Sequence, residues 1–474
     1  MWLLATTWLR PLMLPDEGRY AEVAREMLLG DGGMPTLHGL PFFHKPPLMY
    51  WVDVAAMQVL GVNAFAARMA PALGGWLMGA ALYMDLCRRI DPRRAALVLG
   101  VLATTPFFYL GAQYANHDMP VAGLITAAIV FARRAADEAG RARLHWAVAA
   151  WCAMALAVLA KGLIGVVLPA LVVGPWLLAQ RRWRDVLLML HPLAMLCFAV
   201  LAVPWFAAMQ WRYPAFLDYF FLEQHVRRFA QIGFNNQQPF WFFMPVLLPL
   251  TLPWSAWLLR RWPRRTPLDA PTTALYAWWV VAVVGFFSLP SSKLVGYVLP
   301  AVAPFVALLG LVVGAGRAWR RVMPAAALAC IATVLGLAWA APKSNRDVGQ
   351  ALAQRMKPGD RVVFVDSPYF DAPFYAGMTQ PAFVLSDWTD PDIPRHDDWR
   401  KELFDAARFA AAAEARRLWP TARAADLLCH AGTVWFVAPR DWRPPGDLGP
   451  LTAVLDGRNA ALLSAAGSPR ASCP

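Results

Sequence analysis

Charge is scarce in this chain. Only 16% of its 474 residues are Asp, Glu, Lys or Arg and 58% are hydrophobic, which excludes an ordinary water-soluble enzyme and points to a multi-span membrane protein. Acidic residues are the rarer sign, 31 against 44 basic, for a formal charge of +13. The basic residues are dispersed between apolar runs and form no single patch, which argues against nucleic acid as a partner. The six cysteines, Cys87, Cys152, Cys197, Cys330, Cys429 and Cys473, show no paired spacing, so neither a metal knuckle nor a disulfide framework is expected. P-loop and Gly-rich dinucleotide fingerprints are missing, which removes ATP-driven transport. The triplet Asp390-Pro391-Asp392 mimics a metal-binding DxD motif, but it sits in a Pro-rich loop and reads as a solvated run.

What the chain does have is long apolar runs. Runs able to cross a hydrocarbon core of ~30 Å appear near 64–87, 95–112, 119–133, 145–160, 162–180, 185–208, 239–259, 272–289, 294–314 and 322–341. Met1–Leu14 is apolar but too short to span, and it lacks a signal peptide's basic start and small-residue cleavage site. It reads as a truncated first helix or a start site placed too late. The segments 88–94, 133–143, 181–184, 260–265 and 317–321 carry 18 arginines, so these loops are expected on the cytoplasmic side. The alternate stretches then face outward: 15–63, 113–118, the turn at Lys161, 210–238, 290–293 and everything after Ala341.

Those outward stretches hold the singular polar residues. Between Pro15 and Trp51 lie Asp16, Glu17, Arg19, Glu22, Arg25, Glu26, Asp31, His38, His44 and Lys45. Tyr20, Val23, Ala24, Met27 and Leu28 recur at helical spacing opposite Arg19, Glu22, Arg25 and Glu26. This predicts an amphipathic helix lying along a membrane surface and stopped by Gly30-Asp31-Gly32-Gly33. Lys45 stands between Phe42-Phe43 and the rigid Pro46-Pro47 pair, so a stiff backbone aims its ammonium. Asp118 opens a span, where a carboxylate costs ~2.5–3.5 kcal/mol; it is either functional or the N-cap of a helix beginning at Pro120. Lys161 interrupts LAKGLIG, either snorkelling to the surface or serving a site. Glu223, His225, Arg227 and Arg228 crowd into six residues like an anion site, and Lys293 and Tyr297 share one face at a helix entrance. Carboxylates, cations, imidazoles and a phenol on one membrane face suit a phosphate on a hydrocarbon tail and an acceptor hydroxyl that must lose a proton.

Five stretches in order, PDEGRYAEVAREM, PFFHKPPLMYW, LAKG, EQHVRRF and SSKLVGYVLP, resemble the signatures of the GT-C polyprenyl-phosphate-sugar glycosyltransferases. The resemblance is to the branch with the bacterial aminoarabinose transferase of lipid A and the protein mannosyltransferases. It implies a mainly α, polytopic membrane fold of about 10–12 transmembrane helices. It further implies a membrane-bound inverting glycosyltransferase that moves a sugar from a polyprenyl-phosphate donor to an envelope lipid or protein acceptor. Carried over by position, Asp16 and Asp118 are the catalytic acids, Glu17 lies beside the first and Arg19 on the donor side. Lys45 contacts the donor phosphate, and Tyr297 lies near the lipid phosphate. Lys161, Arg227, Arg228 and Lys293 complete the expected substrate-binding set. His225 matches a histidine that helps hold zinc in the aminoarabinose transferase, and His44, standing where that enzyme has glutamate, is its candidate partner. No other cofactor is expected. The implied setting is a bacterial inner membrane, with the catalytic face periplasmic and Asp16, Lys45 and Tyr297 meeting at one wet pocket.

Residues 1–341, with a first outward loop over 15–63, are expected to form the catalytic membrane domain, and 342–474 a small extracytoplasmic α/β domain. In the latter RVVFVDS and TVWFVAP read as strands and KELFDAARFAAAAEARRLW as one helix. The rival expectation is a non-enzymatic transporter of polyprenyl or sugar lipids. It would show internal repeats or broken helices near the midplane, and no repeat is visible.

Overall fold

Each of the ten apolar runs becomes helix in the computed structural model, which describes residues 1–227, 235–259, 268–313, 317–340 and 343–468. Three runs expected to be continuous are broken, each immediately before a proline. The 95–112 run splits into Pro92–Ala103 and Pro106–Gly111, 185–208 into Trp183–Met189 and Pro192–Arg212, and 239–259 into Phe243–Leu250 and the 3-10 turn Trp254–Leu259 after Pro253. The cause is local: proline has no N–H to donate and its ring clashes with the preceding turn, so it can start a helix but not continue one. Taking Trp183–Arg212 as one, five helices among the described residues are long and apolar enough to cross a membrane; the others are Asp118–Asp137, Arg141–Lys161, Ala270–Ser288 and Trp319–Ala340. Leu48–Leu60, Ile164–Ala179 and Val295–Gly310 are shorter apolar helices.

The chain divides into two compact units by its contacts. The first comprises Met1–Leu9, His44–Met49 and Arg68–Gly336. Its centre is the Asp118–Asp137 helix, 89% buried over its apolar window, whereas only 11% of the Trp183–Arg212 window is buried. Leu193, Leu196 and Val200 of the latter are exposed, as expected of side chains that face lipid. The central helix packs on Met69–Leu86 through backbone. A Cβ at Gly123 would lie 2.1 Å from the Gly74 carbonyl oxygen, and one at Gly74 would lie 2.6 Å from Pro120 Cα. Small residues allow this approach where helices associate in lipid by packing alone.

One end of this bundle is laced with charge. Asp85 accepts from Tyr276 Oη at 2.5 Å, from Arg133 Nη1 at 3.2 Å and from Arg89 Nε at 3.2 Å. Asp137 accepts from Arg89 Nη2 at 2.5 Å and Arg182 Nη1 at 3.1 Å, and Asp185 accepts from Arg182 Nε at 2.6 Å and also from Arg143. The arginines of 88–94, 133–143 and 181–184 are thus tied together by carboxylates at one end. The segment 260–265 lies outside the described residues.

The second unit comprises Arg10–Phe43, Tyr50–Ala67 and Leu337–Pro474, as far as it is described. Its sheet has the order β5-β4-β3-β6-β8-β7, from Leu418–Pro420, Phe383–Ser386, Arg361–Val365, Thr433–Ala438, Ala461–Ala466 and Thr452–Asp456. β3 pairs in parallel with β4 and β6, β4 in parallel with β5, and β8 antiparallel with β6 and β7. RVVFVDS and TVWFVAP supply the central strands β3 and β6. KELFDAARFAAAAEARRLW is not one helix: Trp399–Ala407 ends, Ala412–Ala415 follows, and Leu418-Trp419-Pro420 is drawn out into edge strand β5 by its ladder with β4. Of its cysteines, Cys429 is disulfide-bonded, whereas Cys87, Cys152, Cys197 and Cys330 of the first unit are free thiols.

The helix predicted after Pro15 runs over Asp16–Leu29 and ends at Gly30. Its polar side is not solvated as a membrane-surface helix would require. Glu17, Glu22 and Arg25 are buried along with Tyr20, Val23, Ala24 and Met27. Periodicity distinguishes the two sides of a helix, but it does not say what covers each. Here Arg25 Nε and Nη2 reach the Glu22 carboxylate at 2.7 and 2.6 Å, and Nη1 donates to the Met378 carbonyl. Burial still pushes the Glu22 carboxyl up to about 7 against the opposing pull of Arg25. A tight hairpin follows, β1 (Thr36–Leu37) with β2 (Leu40–Pro41), turning on His38 (φ 53°) and Gly39 (φ 72°). Its tip enters the sheet domain, with the His38 ring 5.5 Å from Phe364 and 5.8 Å from Phe370.

Candidate active site

The first unit gathers charge at the end of its central helix opposite the arginine network. The helix Asp118–Asp137 has 20 residues and so separates the two by ~30 Å. Asp118 opens that helix and is 7% exposed. It is not a side-chain N-cap: the helix starts at Asp118 itself, and its carboxylate turns elsewhere. Lys161, the last residue of Arg141–Lys161, donates to Asp118 Oδ1. Gly162, at φ 90°, ends that helix and leaves the lysine at its terminus, where positive charge suits the helix dipole. The same ammonium lies 4.7 Å from the centroid of the Tyr297 ring, within cation–π range, and that ring packs 5.1 Å from Phe287.

Two residues here escaped the reading of the sequence. Asn116 Nδ2 donates to Asp118 Oδ2 at 3.1 Å, and the Asp118 amide donates back to Asn116 Oδ1 at 3.0 Å. A Cβ at Gly296 would lie 2.0 Å from Asp118 Oδ2, so only glycine fits beneath that carboxylate. The NHD and VGY tripeptides were in plain view, but their meeting is tertiary.

The other expected residues of this unit lie as follows. Lys45 and His44 are half-buried, and the His44 ring is 5.9 Å from that of Tyr219. Lys293 is buried, donates from Nζ to the Gln238 carbonyl at 2.9 Å and also to the Pro290 carbonyl, and burial lowers its pKa. Its partners are therefore backbone oxygens of the loop. Arg227 is exposed at the end of the π-helical segment Asp218–Arg227. The His225 side chain and Arg228 lie outside the described residues. Among the described residues no three His, Cys, Asp or Glu side chains stand together as a metal site; the expected ligand His225 is not among the side chains so described.

The second unit holds the remaining three. Asp16 is partly exposed in the first turn of its helix and accepts from Arg19 Nη2 at 2.5 Å. Arg19 also clasps Glu402, with Nη1 to Oε2 at 2.6 Å, and stacks over Tyr20 and Phe370 at 5.0 and 5.7 Å. Burial opposes its charge, but the Glu402 and Asp16 carboxylates offset that and raise its pKa. Glu17 is fully buried. It accepts from Arg10 Nη2 at 3.0 Å and from the Met13 amide at 3.0 Å, which makes it a clamp on the chain entering the helix. The lone arginine of the apolar N-terminal stretch thereby finds its partner.

Comparison with known proteins adds the relatives. Residues 9–220 match the family model described as dolichyl-phosphate-mannose-protein mannosyltransferase. The undecaprenyl phosphate-alpha-4-amino-4-deoxy-L-arabinose arabinosyl transferase of Erwinia tasmaniensis is 34% identical over 311 residues, covering 64% of this chain and 55% of that protein. Its counterpart in Aeromonas salmonicida is 35% identical over 306 residues, covering 63% and 56%. The chain thus spans about half the length of the curated relatives it matches. The crystal structure of ArnT from Cupriavidus metallidurans bound to undecaprenyl phosphate matches at 25% identity and a TM-score of 0.81, over 100% of this chain and 96% of that one. These relatives give no support to a transporter.

Proposed function

Because the chain is a multi-pass membrane protein of GT-C fold, aminoarabinose-transferase-like in sequence and structure, we propose that it transfers a sugar from a polyprenyl phosphate to an envelope acceptor, lipid A or a protein. The reaction is placed on the periplasmic face of the bacterial inner membrane. The observation that carries this reading is the Asp118–Lys161–Tyr297 cluster, a buried acid, an ammonium and an aromatic ring at one end of an apolar bundle. Such a site offers hydrocarbon to a polyprenyl tail and positive charge to its phosphate. Its distance from the arginine network supports the outward assignment, because the arginine-rich end is the cytoplasmic one by the positive-inside rule. The disulfide at Cys429 in the second unit agrees, since disulfides persist in oxidising compartments.

In the proposed step an acceptor oxygen attacks the anomeric carbon, the bond from that carbon to the phosphate oxygen breaks, and the polyprenyl phosphate leaves with the electron pair. The configuration at carbon inverts. Lys45, Lys161 and Arg227 offset the negative charge that grows on the phosphate, and Tyr297 lines its approach. Removing one such donor typically lowers the rate ~10²–10³-fold. Asp16, by its match to the family's acidic residue, takes the proton of an acceptor hydroxyl; where the acceptor is an already ionised lipid A phosphate no base is needed, and it orients the acceptor or stabilises positive charge on the sugar, while Asp118 orients Lys161. Lys293, held by backbone oxygens, shapes the surroundings of the site.

Membranes carrying the chain, given undecaprenyl-phosphate-linked aminoarabinose and lipid A, should yield modified lipid A by mass spectrometry. Asp16→Asn is expected to abolish transfer while the donor still binds. Transfer at the wild-type rate in that variant removes Asp16 from catalysis.

A further inference from the structure

The ion pair beside Tyr297 is held more carefully than a salt bridge requires. Oδ1 of Asp118 faces the Lys161 ammonium, while Oδ2 is pinned by Asn116 at 3.1 Å and rests where Gly296 has no side chain. The next residue, Tyr297, offers its ring face to the same ammonium at 4.7 Å. Two consecutive residues therefore seat both halves of the pair, 296 by having no Cβ and 297 by its π-face. Glycine inside a helical segment costs about 0.5–1 kcal/mol relative to alanine, and here it opens space for a carboxylate.

We propose that Gly296 and Asn116 are positioning residues that keep Asp118 on Lys161 as a built-in counter-ion, so that a carrier phosphate binds Lys161 only by displacing a carboxylate. This rests on the reading that Lys161 meets the phosphate of a polyprenyl carrier. The physical consequence is a tempered grip. An unopposed, half-buried ammonium would hold a lipid phosphate tightly and release it slowly after the sugar has gone. With the carboxylate returning as the phosphate departs, product release is assisted by a group already in place, and the lysine never faces the apolar surroundings unpaired.

The claim has a sign that a merely structural role lacks. Binding of undecaprenyl phosphate to the full chain in detergent micelles, followed by native mass spectrometry or thermophoresis, should be tighter by about fivefold or more in Asp118→Asn. Gly296→Ala should change affinity in the same direction, because the new methyl pushes the carboxylate off the lysine. Lys161→Ala should bind more weakly than wild type. A structural contribution would lower melting temperature and weaken binding instead. Unchanged or weaker binding in folded Asp118→Asn overturns the proposal. Should Gly296→Ala fail to accumulate, Asp118→Asn alone decides, since it exchanges one oxygen for an amide without altering shape. If the wild type itself does not bind undecaprenyl phosphate, the reading of Lys161 as a phosphate site fails first, and that outcome is told apart by the wild-type measurement alone.

Discussion

His38 shows how a single ring can tie pH to stability. It sits at the tip of the hairpin with φ 53°, 1% exposed, against Phe364 and Phe370. Burial, more than any neighbouring charge, lowers its pKa from the usual 6.5 to about 3. The folded chain therefore keeps the ring neutral while the unfolded chain takes up a proton below pH 6.5. Stability from this group is fully present above 6.5 and is lost as pH falls toward 3, by up to ~1.4 kcal/mol per pH unit. Glu22 at about 7 and Asp371 at about 6 act in the opposite sense, losing stability as pH rises, so the test must be differential. Asn tolerates the left-handed backbone, which makes His38→Asn the suitable variant. Between pH 7 and pH 4 wild-type stability should fall more than that of His38→Asn, as read by chemical denaturation of the full chain. Parallel pH profiles would refute the assignment. At this scale Asp118 and Lys161 stood out in the sequence because each is a lone charge in an apolar run. That they answer one another across 43 residues, over a glycine from a third segment, was not legible, because pairing depends on where helices cross. Glu22 and Arg25 were read as a solvated flank for the same reason.

Helices in this chain were legible from the length of apolar runs, and their breaks from Pro106, Pro192 and Pro253, whose missing N–H makes the outcome local. How the helices pack was not. The contact between Met69–Leu86 and Asp118–Asp137 depends on Gly74 and Gly123, which in sequence are two of 31 glycines. The element that presents Asp118 is set by this contact, since Gly123 lies just over one turn beyond it. An added methyl at 123 would meet backbone oxygen, and no rotamer change relieves that, so overpacking of about 1–3 kcal/mol is expected. Gly285, in the Ala270–Ser288 helix, has nothing within 4 Å of a built Cβ and provides the control. Gly123→Ala should melt several degrees below wild type in detergent and fold in lower yield, whereas Gly285→Ala should match it or gain slightly. Equal melting of the two variants would show that the close approach of the two helices carries no energetic weight.

On the scale of the whole molecule the charge distribution is polarised along the first unit. Arginine and carboxylate interlace at one end, and the Asp118–Lys161 pair lies at the other. A bilayer makes such polarity consequential: arginines near span ends resist translocation, and the site proposed at the far end would have to open to the compartment that supplies its acceptor. The sequence yields an expected orientation because arginine counts are local. It could not show that Arg10–Phe43 and Tyr50–Ala67 fold with the tail in one unit, because apolar periodicity is silent about partners more than three hundred residues away, such as Tyr375 Oη, which receives the Leu12 amide at 2.7 Å. The orientation is checked by alkaline phosphatase fusions, which are active only where disulfides form. A fusion within the loop at Arg141 should be inactive, and one joined after Pro474, which keeps every cysteine of the chain, active, with the Cys429 disulfide formed in the latter. The reverse pattern would put the Asp118–Lys161 end in the cytoplasm, where a periplasmic acceptor could not reach it, and the proposed reaction would have to be abandoned along with the topology.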